Sequence, residues 1–481
     1  MKLSTFHKRR GDEVHFVHGC GENAASQDDS ANAHEGWDRI YITTLFTFNW
    51  DKTIRTIKFY REIAGNRGQV FVGGIMASLM PKETREETGI DPVVGVLHSP
   101  RQIGLESTTN IDLLPPDYDL LDRRRYALNE TYYAYTTRGC TNRCGWCGVS
   151  VIEPEFVPYI DVKETLKHLR KTYGDKPKLK LMDNNVLASN ELERIVDDLV
   201  SLGYGRGCFT ETRVPKARVI DFNQGLDATF ITEEKIRLLA RLNLEPMRIA
   251  FDRLQEREEY LRAIELAKDH GIRAFSNYML YGFNDTPRDL YERLKVNTEL
   301  NARWRAGGVP TAKVYSYPMR YAPINSKTTA LASDQESGVR VADKRKTNSA
   351  GELEWNRRFM RNVEVMKGAA FGAISSTPDL ATRTIGGSYD EFTANLYMPE
   401  DMLRNRNKYE RRVYKREPSR KPGTGDIEAF RSFILQLVKA RDCRFLKFLE
   451  VVSRNRRAAI REYMHECKDE EIMKWLDFYL K

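Results

Sequence analysis

The run TYYAYTTRGCTNRCGWCG at 131–148 is the stretch from which the rest of the chain is read. Its opening, TYYAYT at 131–136, is rich in aromatic and β-branched residues and predicts a strand. RGCTNRCGWCG at 138–148 then places Cys140, Cys144 and Cys147 in the spacing C-x₃-C-x₂-C. Three thiolates on one short loop can each hold one iron of a cubane, and the fourth iron is left open to a small molecule. Structural zinc wants four ligands, and no fourth cysteine or histidine lies in this loop, although Cys208 could come from afar. The flanking Gly139, Gly145 and Gly148, just past a strand, speak against three inert buried cysteines.

Outward from this loop, strand and helix signals alternate. Five further strands are expected at KLKLM (178–182), ARVIDF (217–222), MRIAF (247–251), IRAFSNYML (272–280) and TAKVYSY (311–317). Between them, Asp161 with Glu164 reads as a capping box, Ser189 and Thr232 as caps, and Pro287 as a helix start. Six βα units fit a partial barrel, whose chemistry sits at the C-terminal ends of its strands. Upstream, LSTFHKRR predicts a short helix and EVHFV (13–17), RIYITTLF (39–46), QVFVGGI (69–75) and PVVGVL (92–97) predict strands. A helix at 51–64, capped by Asp51 and ended by Gly65-Asn66, falls among them and predicts parallel, doubly wound order. The expected class is therefore α/β. It comprises a doubly wound (Rossmann-like) domain at 1–125, a partial (β/α)₆ TIM-like barrel at 126–325 and a mainly helical region at 326–481.

The cysteine spacing, with Trp146 just before the last cysteine and after the first of six strands, resembles the radical S-adenosylmethionine superfamily. FVGGIMASLMP (71–81) and IDLLPPDY (111–118) are similar to the cobalamin-binding-like domains that precede the radical domain in one branch. The resemblance implies a [4Fe–4S] cluster on Cys140, Cys144 and Cys147, with the amino and carboxylate groups of S-adenosylmethionine on its open iron. One electron would then split the sulfonium into methionine and a 5′-deoxyadenosyl radical that abstracts hydrogen from a substrate. It also implies cofactor-binding residues at successive strand ends. These are Trp146, one or more of Asp183, Asn184 and Asn185 (where many relatives carry Gly-Gly-Glu), Asn223, Gln224, Asp252, Arg253 and Asn277. No catalytic residue acting on the substrate is assigned.

Two absences qualify the resemblance. No D-x-H-x-x-G string is present, and neither His98 nor the pair His15 and His18 supplies one. The expectation is a degenerate domain that binds no cobalamin, with binding lacking a histidine ligand as the alternative. Cys20, Cys208, Cys443 and Cys467 are scattered, so auxiliary clusters are not expected. The early His7, His15, His18 and His34 match no metal-site spacing and read as ordinary residues.

The remaining signals bound the partners. Hydrophobic residues make up 41% and charged residues 30% of 481, which suits globular domains with sizeable cores. No apolar run is long enough to cross a membrane, and the N-terminus lacks a secretory apolar core, so a cytoplasmic protein is expected. The net charge of +9 permits an anionic partner without requiring one. Residues 403–421 hold nine Lys or Arg against two Glu, with Tyr409 and Tyr414 interleaved, a pattern compatible with nucleic acid or with a solvated helix face. Residues 323–351 suit an exposed loop, and 425–480 suit amphipathic helix. SYPMRYAPI (316–324) closes the last strand, with Met319 and Arg320 facing a substrate in this reading. The partners expected are an unidentified substrate and a one-electron reductant such as flavodoxin or ferredoxin. The alternatives are a zinc-bearing nucleic-acid-binding protein without catalysis and a catalytically silent cluster protein.

Overall fold

The computed structural model describes residues 1–20, 37–65, 68–121, 126, 128–307, 312–327, 353–368, 370–405, 424–440 and 443–480. Among these, every pairing between strands is parallel. Helix α1 (Lys2–Arg9) seats Phe6 against Ile103, Ile111 and Leu114. Strands β1 (Arg39–Thr44) and β2 (Gln69–Gly74) pair from Arg39↔Gln69 to Thr44↔Gly74, with α2 (Trp50–Ala64) as the crossover. The helix α2 buries Trp50, Ile54 and Ile57, one face at helical spacing, against Val72, Met76, Ala77 and Met80. Gly74 turns the chain directly from β2 into α3 (Ile75–Leu79) at φ +96°; a Cβ there would stand 2.3 Å from the Thr44 carbonyl oxygen. A short α4 (Pro81–Thr88) follows.

Among the described residues part of the expected doubly wound order of the N-terminal region is present. The described part of this region forms a two-stranded sheet, extended by a single parallel bridge from Gly73 to Val93. EVHFV at 13–17 forms no strand; Phe16 and Val17 are exposed. In 92–97 Pro92 lacks an N–H and Gly95 sits at φ +79°, so the segment cannot run extended far enough to make a ladder.

The next sheet has the order β3-β4-β5, from β3 (Thr131–Ala134), β4 (Lys178–Leu181) and β5 (Val219–Phe222), and Leu244 adds a parallel bridge to Ile220. Its helices are α5 (Val149–Ile152), α6 (Lys163–Tyr173), α7 (Leu192–Leu199) and α8 (Glu233–Leu239). The helix starts differ slightly from expectation. Val162 is the N-cap position of α6, and Asp161 Oδ1 instead accepts from the Lys163 N–H at 2.9 Å. Ser189 Oγ accepts from the Glu191 N–H one turn before α7. Asn49, not Asp51, is the N-cap of α2, and Asp51 lies in its first turn.

A third sheet has the order β6-β7-β8, from β6 (Met247–Arg248), β7 (Ala274–Tyr281) and β8 (Lys313–Arg320), with α9 (Arg257–Asp269) and α10 (Pro287–Ala306) as crossovers. Thr286 and Asp289 form a reciprocal capping box on α10, with Pro287 in its first turn as the sequence predicts. Along α10, Arg293, Asn297 and Asn301 recur every fourth residue and are buried. Asn301 closes on both the N–H and the carbonyl of Val314, each at 2.9 Å. The C-terminal region is helical as expected: α11 (Arg357–Gly368), α12 (Pro378–Ile385), α13 (Tyr389–Tyr397), α14 (Glu400–Asn405), α15 (Thr424–Ala440), α16 (Cys443–Ser453), α17 (Arg457–Glu466) and α18 (Glu470–Leu480).

The chain groups into two compact units, which follow different lines from the three segments expected. One comprises Met1–Leu226, Glu233–Glu245 and Ala322–Ser337; the other comprises Asp227–Thr232, Pro246–Tyr321 and Gly338–Lys481. The six expected strands thus divide three and three. Most of the expected loops at 19–36 (with His34) and 323–351, and most of the basic run 403–421 with Tyr409 and Tyr414, lie outside the described residues. Among the described residues no helix is long and apolar enough to cross a membrane.

Candidate active site

The parallel register of β3 on β4, Thr131↔Lys178 through Ala134↔Leu181, sets the residues after β3 beside those after β4. Asp183 uses this. Its Oδ1 accepts the Thr136 N–H at 2.8 Å, the Thr136 hydroxyl at 2.7 Å, the Thr137 hydroxyl at 2.8 Å and the Thr137 N–H. The residue is 1% exposed, and its other oxygen, Oδ2, is buried without a partner. Burial raises the Asp183 pKa despite these four donors.

The cysteine loop is tied at its root. Arg138 forms a fork onto Asp112, with Nε to Oδ2 at 2.9 Å and Nη2 to Oδ1 at 2.5 Å, and lies 3.4 Å over the ring of Tyr135. Its Nη1 reaches Glu153 Oε1 at 2.9 Å. The other Glu153 oxygen accepts the Gly139 N–H at 2.7 Å and the Asn184 side-chain amide at 2.9 Å. One carboxylate just past α5 therefore holds the start of the loop and the turn after β4. Gly139 sits at φ +72°, where a Cβ would come within 2.2 Å of the Glu155 carbonyl oxygen, so only glycine fits.

Cys140, Cys144 and Cys147 are all half-buried thiols, and Trp146 is half-buried beside them. The Asn142 N–H points to Cys140 Sγ at 3.3 Å, and the Asn185 amide lies 3.7 Å from the same sulfur. Asn185 is 2% exposed, and its Oδ1 is buried without a partner. Among the described residues no three Cys, His, Asp or Glu side chains converge on a point where one metal ion could sit, this trio included. The donor set fits a cluster with an open position. Three thiols, N–H donors aimed at one sulfur, and unmet buried oxygens on Asp183 and Asn185 all lie around one loop.

The other expected residues are placed unevenly. Asn223 follows β5, its N–H on the Leu181 carbonyl at 2.9 Å, and Gln224 beside it is exposed. In the second unit Asp252 accepts the Leu280 N–H at 2.7 Å, and burial pushes its pKa up to about 6. Arg253 is exposed and pairs with Glu256 at 2.5 Å. Asn277 lies on β7, the fifth expected strand, and is 0% exposed. Its amide donates to the Tyr260 hydroxyl at 3.2 Å, while its Oδ1 is buried without a partner. The sequence reading missed Asp112, Thr136, Thr137, Arg138 and Glu153. Each acts through a partner that no local spacing reveals.

Residues 134–295 match the family described as the Radical SAM superfamily. This stretch is a radical SAM domain. It spans the cysteine loop and the chain from the end of β3 into α10, and it makes the protein an enzyme that works with a [4Fe–4S] cluster and S-adenosylmethionine. A zinc-bearing protein without catalysis is not favoured by this match. No curated protein matches the chain. Among solved structures, the radical S-adenosylmethionine methyltransferase TsrM from Kitasatospora setae, described with cobalamin and a [4Fe–4S] cluster bound, is 14% identical. The match has a TM-score of 0.40 and covers 61% of this chain and 67% of that one. The apo cobalamin-dependent S-adenosylmethionine radical enzyme OxsB is 12% identical at a TM-score of 0.40, covering 92% of this chain and 70% of that one. Likenesses of this size leave the chemistry to be argued from the chain's own residues.

Proposed function

We propose that the enzyme cleaves S-adenosylmethionine reductively and uses the product radical to abstract hydrogen from a substrate not yet identified. Cys140, Cys144 and Cys147 would hold the cluster. When bound, the cluster supplies one electron that splits the sulfonium into methionine and a 5′-deoxyadenosyl radical. The protein's own part is position. Glu153 and Arg138 fix the root of the loop, Asp183 locks the strand end that precedes it, and Asn185 offers an amide to Cys140 Sγ. The unmet oxygens of Asp183 and Asn185 are acceptors suited to an ammonium group, as on the methionine end of the co-substrate. A reductant of the flavodoxin or ferredoxin kind would deliver the electron. The reading does not call on cobalamin, since the sequence holds no D-x-H-x-x-G string.

The observation that carries the reading is the cysteine loop with the Asn185 amide against Cys140 Sγ and the unmet oxygens of Asp183 and Asn185. The test is metal content with electron paramagnetic resonance after anaerobic reconstitution. The expected result is about four irons per chain and a reduced-cluster signal that changes on adding S-adenosylmethionine. A zinc-loaded chain, or an iron signal indifferent to S-adenosylmethionine, would overturn it.

A further inference from the structure

Arg320 ends β8 and stands opposite Tyr281, the last residue of β7, so their side chains share one face at the C-terminal ends of two parallel strands. Both Nε and Nη2 of its guanidinium are buried, and among the described residues neither finds an acceptor. These two donors form one edge of the fork, the edge that grips two oxygens of an anion side by side. The same unit shows that edge filled elsewhere. Arg361 on α11 uses Nε and Nη2 to hold the two oxygens of Glu400, each at 2.9 Å.

The carboxylate whose charge reaches Arg320 is already engaged. Glu364 Oε1 accepts the Tyr281 hydroxyl at 2.7 Å and the Lys367 ammonium at 2.8 Å. Among the described residues Arg320 and Lys367 thus share the carboxylate of Glu364. Burial pulls the Arg320 pKa below its ordinary value, as expected of a guanidinium with too little compensation.

We infer that Arg320 is an anion-binding residue whose Nε/Nη2 edge takes a carboxylate or phosphate group of a ligand of the second unit.

The test uses the reconstituted holoenzyme and reads the thermal midpoint against inorganic phosphate and, separately, acetate, at ionic strength matched with chloride. The wild type is expected to gain stability saturably with at least one anion, and which one it is names the group. Arg320→Lys keeps the charge but loses the fork, and should weaken the apparent affinity at least about tenfold. Arg320→Gln should abolish the response. An equal response in Arg320→Gln, or none in the wild type, overturns the inference. So does a lower midpoint for Arg320→Gln without added anion, since the edge would then be filled from within the chain. Failure of the wild type to bind iron speaks against the radical reading and leaves the anion readout standing.

Discussion

Asp183 Oδ1 receives both the backbone N–H of Thr136, at 2.8 Å, and its hydroxyl, at 2.7 Å, which locks the end of β3 to the end of β4 just ahead of the cysteine loop. Removing the carboxyl leaves buried N–H and hydroxyl donors unmet, each at a cost of about 1–3 kcal/mol. Asp183→Ala should therefore lose stability by roughly 2–4 kcal/mol in denaturant melts and retain less iron. Asp183→Asn keeps Oδ1 as an acceptor for these donors and should lose less stability than Asp183→Ala. Equal loss in both variants would contradict this role.

Glu153 is the second tie. Glu153→Ala strands Arg138, whose side chain is 12% exposed, and releases the Gly139 N–H and the Asn184 amide. Breaking a buried pair from one side costs roughly 3–5 kcal/mol, with the Asp112 fork offsetting part of it here. Iron content after desalting should fall in step with the melt. Full iron retention with an unchanged melt would show that the loop needs no such anchor.

Gly139→Ala tests the backbone of the same turn. A Cβ 2.2 Å from the Glu155 carbonyl oxygen cannot be accommodated without moving the segment after α5. The variant should reconstitute poorly even though all three cysteines are present. Gly145→Ala, whose glycine is exposed, serves as the comparison and should reconstitute well.

The pH dependence of stability has a predicted sign. Asp252 titrates at about 6 in the fold against 3.8 as its ordinary value, so the fold favours its protonated form. That contribution is fully present below pH 3.8 and is lost as pH rises through about 6. Asp252→Asn, which keeps the acceptor for the Leu280 N–H, should gain stability over wild type by roughly 3 kcal/mol above pH 6 and by little near pH 4. Parallel stability–pH curves for the two proteins would refute the assignment.

What was legible in the sequence was local. The C-x₃-C-x₂-C loop, the βα alternation from 131 onward and the Thr286-Pro287 helix start all declare themselves within a few residues. What was hidden depends on long-range pairing. Glu153 looks like any acidic residue after a short helix until Arg138, Gly139 and Asn184 are brought to it. EVHFV at 13–17 alternates like a strand, yet Phe16 and Val17 are exposed and among the described residues no edge pairs with it. Asn277 is legible as a residue of the fifth strand, but its full burial and its bond to the Tyr260 hydroxyl depend on that long-range packing.

The central claim is that the 140–147 loop supports reductive cleavage of S-adenosylmethionine, and 5′-deoxyadenosine formation tests it most directly. Anaerobically reconstituted protein, reduced with dithionite in the presence of S-adenosylmethionine, would be assayed by chromatography beside Cys144→Ala. The account predicts 5′-deoxyadenosine from the wild type and none from the variant. An iron-loaded wild type that yields none, or a Cys144→Ala variant that yields as much, would contradict it.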